Sequence, residues 1–294
     1  MLYQQIRENK RKTFYVMDGF IFLVGLIGAA LGYFCYGRAT TGIMVAVGVG
    51  LFYMITTLGQ STQIVMRMNN AHPVTEEQAP QLYHVVQEMA LVAKIPMPQV
   101  YIIDDPSPNA FATGPDPKHA AIAATAGLLQ RLNREELEGV IGHEVSHIRN
   151  YDIRLQSTAL ALASAISYLA NLGVNSLFWR GFYNNDDNEQ HSNLLMLLFS
   201  FLTLILGPLA ATLAQMALSR NREYLADAGS VELTRDPQGL ISALKKISQS
   251  EPLKYADTSS ASLYIESPFK ESSWTHLFDT HPPIAKRIAR LEKM

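Results

Sequence analysis

The chain of 294 residues contains one cysteine, Cys35, which rules out an intramolecular disulfide and a cysteine-built metal site. Charge is also scarce: 17% of residues are Asp, Glu, Lys or Arg, and the formal net charge is -2. Nothing in that balance suggests a nucleic-acid partner, and none is expected. The scarcity is concentrated, because residues 19–37, 39–66, 155–179 and 192–219 carry no Asp, Glu, Lys or Arg at all. An apolar stretch of about 20 residues suffices to cross a bilayer as a helix. With 48% hydrophobic residues, the four windows predict a multi-pass membrane protein of about four transmembrane helices in contact with a lipid bilayer. Asn171 and Asn175 weaken the third window, and Pro208 predicts a kink in the fourth.

A removable signal peptide does not fit, since the first apolar run is long and a second follows almost at once. Only Gly37-Arg38 separates the two, which predicts a tight hairpin. Arg7, Lys10, Arg11 and Lys12 precede it and place the amino terminus in the cytoplasm. Asp186, Asp187 and Glu189 lie between windows three and four, whereas Arg149, Arg154, Arg220 and Arg222 flank their other ends. The soluble pieces are therefore expected inside. The organisation read from this is a transmembrane hairpin over 1–66, a first cytoplasmic half over 67–154, a second hairpin over 155–219 and a second cytoplasmic half over 220–294. Together the two halves are long enough for one buried core.

The soluble pieces read as mainly α with a small β-sheet. Thr75-Glu76-Glu77 predicts a helix start, followed by Leu82, Val85, Val86, Met89 and Val92 at helical spacing and a stop by Pro96. Short β-rich runs at 98–103, 109–113 and 120–125 predict the sheet. Asn133 with Glu136 forms a capping-box pattern opening a helix that runs to about Arg154, with Leu137, Ile141, Val145 and Ile148 facing the core. A helix near 237–248, a Ser-rich surface loop over 258–273 and a terminal helix from Pro282 complete the chain.

The helix opened by Asn133 carries His143-Glu144-Val145-Ser146-His147. An i, i+4 spacing sets both histidines on one face, one turn apart, where they can share a metal ion. Glu144 points to the side, able to take a proton from water without occupying the metal, the HExxH arrangement of zinc hydrolases. A third ligand is then needed. The predicted topology removes His191 and leaves His72, His84, His119, His276, His281 and the cytoplasmic carboxylates. Glu223 stands out, with Asp227 one turn on, a pattern that suits a ligand carboxylate and an Asp that orients a ligand histidine. The spacing fits an exposed charged helix with a Glu223–Arg222 pair equally well. Depth favours the first reading: His147 precedes window three, and Glu223 follows window four, by about 12 Å and 6 Å of helix.

Beyond these patterns, the chain resembles the HtpX-type membrane zinc metalloproteases, relatives of the CAAX prenyl endopeptidases. The resemblance covers nearly the whole length. It lies in the amino-terminal hairpin, Pro96-Met97-Pro98, Asn109-Ala110-Phe111-Ala112-Thr113-Gly114, the HExxH, Arg222-Glu223-Tyr224-Leu225-Ala226-Asp227, and Thr280-His281-Pro282-Pro283 with Arg287 and Arg290. Two departures, Arg235 in place of a turn glycine and the Ser-rich loop, touch no metal position.

The resemblance implies a bacterial cell-membrane protein with a cytoplasmic, gluzincin-like zinc metalloprotease domain. One zinc ion would be held by His143, His147 and Glu223, with Glu144 as general base. The enzyme would be an endopeptidase acting on misfolded or damaged membrane proteins, and other polypeptides, under stress. By the same resemblance His281 and Asn109, and less readily Arg287, are candidate oxyanion donors. Asn109, Ala110 and Phe111 are read as an edge strand to which an extended substrate pairs. Two other classes fit less well. A zinc-binding scaffold without activity has no use for Glu144, and a small transporter would need charged residues inside its spans.

Overall fold

The computed structural model describes residues 2–160, 162, 220–253, 260, 263–266 and 282–294. Window four, most of window three, His276 and His281 lie outside the described residues, as does most of the Ser-rich segment. The described parts of 1–13, 58–158 and 218–294 form one compact unit, and those of 14–57 and 159–217 form another.

The second unit holds most of helix α1 (Leu2–Tyr36) and nearly all of α2 (Ala39–Gly59). Gly37, in the left-handed region at φ 66°, reverses the chain between them. Gly32 lies so near Gly42 that a Cβ on it would stand 2.6 Å from the Gly42 Cα, so side-chain-free backbones are a condition of this approach. Met44, Val49, Phe52 and Ile55 of α2 point outward, with Phe52 72% exposed, the reverse of a soluble core helix. Among the described helices α2 is the one long and apolar enough to cross a membrane. Window one forms the end of α1, which runs unbroken from the basic amino terminus. Window two is shorter as a span than expected: α2 stops at Gly59, and α3 (Ser61–Met68) belongs to the other unit. The polar residues after Gly59 explain the stop, since the Thr62 hydroxyl donates to the His119 carbonyl at 3.1 Å.

In the first unit a four-stranded mixed sheet has the order β1-β2-β4-β3. β1 (Ala71–Pro73) runs antiparallel to β2 (Gln99–Ile103), β2 parallel to β4 (Ala121–Thr125), and β4 antiparallel to β3 (Ala110–Thr113). The three predicted strands form within a residue of their expected bounds. β1, too short to show alternation, was not anticipated.

Helix α4 (Pro80–Ala93) begins later than the expected cap at Thr75. Pro80 supplies a preset first helical position and disfavours helical backbone at Ala79, so the start moves to the proline. Leu82, Val85, Val86 and Met89 are buried as anticipated, whereas Val92 is 52% exposed. After the short helix α5 (Ala126–Arg131), α6 (Arg134–Arg149) opens with the full capping box between Asn133 and Glu136. From Glu136 to Ile148 nearly every residue of α6 is buried, polar ones included. A helix buried on all sides must find partners for its polar groups, and that requirement is met by the site.

Helices α7 (Arg220–Thr234) and α8 (Pro237–Ser248) pack on α6, and α9 (Ile284–Leu291) packs on both of them. The α6–α7 contact is close because Gly229 faces Ser146: a Cβ there would meet the Ser146 Oγ at 2.4 Å. The Ser230 hydroxyl seals the same seam by donating to the Gly139 carbonyl at 2.6 Å. Just past α7, Arg235 adopts φ 59°, so the backbone does take the left-handed turn for which a glycine was expected.

One further departure matters for chemistry. The helix expected to run to Arg154 stops at Arg149, turns through Tyr151 at φ 61°, and resumes over residues 152–160. That break swings Asp152 back toward the end of α6.

Candidate metal centre

His143 and His147 stand one turn apart on α6, and Glu223 and Asp227 one turn apart on α7. All four side chains are buried. His143 Nε2 lies 3.2 Å from His147 Nε2 and 3.5 Å from Glu223 Oε2, while His147 Nε2 lies 3.6 Å from Glu223 Oε1. A tetrahedral zinc with bonds of about 2.05 Å requires donor separations of about 3.3 Å, so this triangle has the right size and leaves one position open.

The remaining ring nitrogens explain why the triangle needs a cation. His143 Nδ1 is 3.0 Å from Asp227 Oδ1, and His147 Nδ1 is 2.9 Å from Asp152 Oδ2. A hydrogen on each Nδ1 satisfies those carboxylates and turns both Nε2 lone pairs toward each other and toward Glu223. Acceptors facing acceptors in a buried site repel unless a proton or metal lies between them. Burial lowers the His143 imidazole, but hydrogen bonds with Asp227 and Glu223 outweigh it and hold the pKa up at about 9. Asp227 is pushed the other way. Its burial disfavours the anion, yet the Arg287 charge and the His143 hydrogen bond prevail and bring it to about 2.

The model of peptidase family M48 matches residues 76–294. The chain is 70% identical to a Protease HtpX homolog of Ligilactobacillus salivarius and 58% identical to one of Limosilactobacillus reuteri, each comparison covering both chains completely. The chain belongs to peptidase family M48. Its fold is also found in the crystal structure of S. mikatae Ste24p, with a TM-score of 0.51 at 19% identity over 99% of this chain and 66% of that one.

Membership makes the chain a membrane metallopeptidase, and M48 metallopeptidases depend on zinc in general. The cluster His143, His147 and Glu223 is the set among the described residues that could hold the ion.

Around this M48 site, Glu144 is 1% exposed, and neither of its carboxylate oxygens has a hydrogen-bond partner among the described residues. Burial raises its pKa above the ordinary carboxylate value, with the two histidines opposing and the Ala112 backbone turned toward it. Arg222, at the head of α7, is buried as well, and its Nη1 has no partner among the described residues. It is not the exposed Glu223 partner of the alternative reading.

Strand β3 is the sheet edge, as expected, but it is not open along its length. Asn109, Ala110 and Phe111 are all buried. The Ala110 carbonyl accepts from Ile265 N–H at 2.9 Å, and the Phe111 ring packs edge-on against Tyr264 with centroids 4.9 Å apart. The Asn109 amide donates to the Glu266 carbonyl at 3.0 Å, and its oxygen accepts from Ala110 N–H. The expectation of a bare edge from Asn109 to Phe111 is therefore corrected, because the chain's own residues 264–266 already pair there. The same bonds engage both ends of the Asn109 amide.

Arg287 is likewise committed elsewhere. It is fully buried and forks onto Asp227, Nε to Oδ2 at 3.0 Å and Nη2 to Oδ1 at 2.6 Å, while Nη1 donates to the Ile265 carbonyl at 2.9 Å. Its place on Asp227 was not legible in the sequence, nor was the contact of Asp152 with His147. The one available signal for Asp152 was its closeness to the HExxH. His281 lies outside the described residues.

Proposed function

We propose that the chain is a zinc endopeptidase of the bacterial cell membrane that hydrolyses misfolded or damaged membrane proteins in stress-related quality control. In this reading about four helices span the bilayer, and the halves 67–154 and 220–294 meet in the cytoplasm. The positive-inside asymmetry of Arg7, Lys10, Arg11 and Lys12 against Asp186, Asp187 and Glu189 supports that orientation. The observation that carries the enzymatic reading is the convergence of His143, His147 and Glu223 beside a buried Glu144.

His143, His147 and Glu223 would hold zinc, which when bound supplies a Lewis acid that brings the pKa of water toward about 7. Asp227 and Asp152 keep the two imidazoles aimed. Glu144 takes the proton of the attacking water and delivers it to the leaving amine, so that one water is consumed per peptide bond. Its raised pKa suits both halves of that transfer. For the oxyanion donor we propose His281, on the strength of its position just before Pro282 in the segment that leads into α9.

The test compares wild type with Glu144→Gln, both purified as full chains in detergent. Zinc per chain and cleavage of an unfolded casein-like substrate are measured with and without chelator. Equal zinc, with activity confined to the wild type and abolished by chelator, is the expected result. Unchanged cleavage by Glu144→Gln would sink the reading, and zinc without cleavage in the wild type would leave a scaffold in its place.

A further inference from the structure

Asn9 lies near the start of α1, more than a hundred residues from the HExxH in sequence, yet it is 1% exposed and bonded into the support of the metal site. Its Nδ2 donates to Asp152 Oδ1 at 2.6 Å and to the Asn150 carbonyl at 3.1 Å. The other oxygen of Asp152, Oδ2, is the one that meets His147 Nδ1 at 2.9 Å. The same turn of α1 docks on the corner that breaks the helix, with Lys10 Nζ 4.3 Å from the centroid of the Tyr151 ring.

We propose that Asn9 is a positioning residue of the metal centre, holding Asp152 so that His147 presents its Nε2 to the metal. The inference rests on the zinc reading of the site. Asp152 is fully buried, and a buried carboxylate with one oxygen unpaired either loses its hydration without replacement or rotates to find a donor. Asn9 removes that incentive with a neutral donor. The buried Arg222 already acts on Asp152 through its charge, so what Asn9 adds is a directed hydrogen bond that fixes how the carboxylate faces the His147 ring. The geometry also accounts for the break at Tyr151, since a continuous helix would carry Asp152 round to a different face of α6.

The test uses the full chain in detergent and reads zinc affinity by competition with a chromophoric chelator, together with the visible spectrum of the cobalt-loaded protein. Asn9→Leu keeps nearly the same volume and removes the donor. It is expected to weaken zinc binding about 3- to 10-fold, less than the roughly 10- to 100-fold that follows loss of a ligand's own carboxylate partner, and to alter the cobalt bands. Asn9→Ala, which removes the donor with a smaller helix-forming side chain, serves where Asn9→Leu does not fold, with at least the same loss expected. Lys12→Ala, at an exposed position of the same helix, should leave zinc affinity unchanged, and a loss there equal to that of the Asn9 variants would overturn the proposal. In an Asp152→Ala background, Asn9→Leu should have no further effect.

Wild-type affinity in the folded Asn9 variants, or additive losses in the double variant, overturns the proposal. A wild-type chain that binds no zinc overturns it together with the reading of the site, whereas zinc in the wild type with unaltered affinity in the variants overturns this inference alone.

Discussion

The two histidines of the metal centre have the same neighbour type and different support. His143 leans on Asp227, which is gripped by the Arg287 guanidinium through two hydrogen bonds. His147 leans on Asp152, which is held by the amide of Asn9. One arm is charge-assisted and inflexible. The other bonds its carboxylate to a neutral amide, which can turn over and offer its oxygen, while the buried Arg222 acts on Asp152 through its charge and not through a hydrogen bond, and the Asn9 Oδ1 has no partner among the described residues. Identical carboxylate–imidazole pairs can thus differ in how much disturbance they survive, and the difference is set one residue further out.

The largest effect is expected from breaking the charged arm. Arg287→Leu leaves Asp227 buried without its counter-ion, a change that typically costs about 3–5 kcal/mol. A thermal melt of the metal-free protein should show that loss, and zinc affinity should fall with it. Stability close to wild type would mean that Asp227 is held by something other than Arg287.

The two carboxylates then test the asymmetry directly. Asp227→Asn presents an amide N–H₂ to donors that cannot reverse, whereas Asp152→Asn can be answered by a turned-over Asn9. Within the roughly 10- to 100-fold range for such partners, Asp227→Asn should lie near the upper end and Asp152→Asn near the lower. Equal losses in a chelator competition would remove the distinction between the arms.

A pH dependence sharpens the comparison from the His143 side. Its pKa in the metal-free fold is raised, to about 9 against an ordinary 6.5. The stabilisation from the protonated form is therefore complete below 6.5 and is lost as pH rises through 9. Zinc needs the neutral ring, so its apparent affinity should move the opposite way, weakening about tenfold per pH unit below 9. Titrations in buffered zinc from pH 6.5 to 9.5, paired with melts of the metal-free chain, should show the two trends crossing. A flat zinc affinity would deny His143 the role of a proton-competing ligand.

Much of the site was legible because it is local. His143 with His147, and Glu223 with Asp227, are each one helical turn apart, and a 3.6-residue repeat places such pairs on one face whatever the rest of the chain does. The Asn133–Glu136 capping box and the core face of Leu137, Ile141, Val145 and Ile148 were readable for the same reason. Elements whose limits depend on competing local signals were less so. Thr75 looked like a cap, but Pro80 set the start of α4, and the polar residues after Gly59 ended α2 before the apolar pattern did.

By itself the sequence determined the ligand types, their spacing within each helix, the candidate base Glu144 and the apolar windows that mark a membrane protein. Only tertiary structure decided which distant groups aim those ligands: Asp152 through a left-handed Tyr151, Arg287 from the last helix, Asn9 from the first, and residues 264–266 along the edge of β3. The physical reason is range. Helical periodicity acts over a few residues and leaves its mark in the sequence. The partner of a buried carboxylate is chosen by whichever chain segment packs within about 3 Å of it, and no spacing rule records that choice.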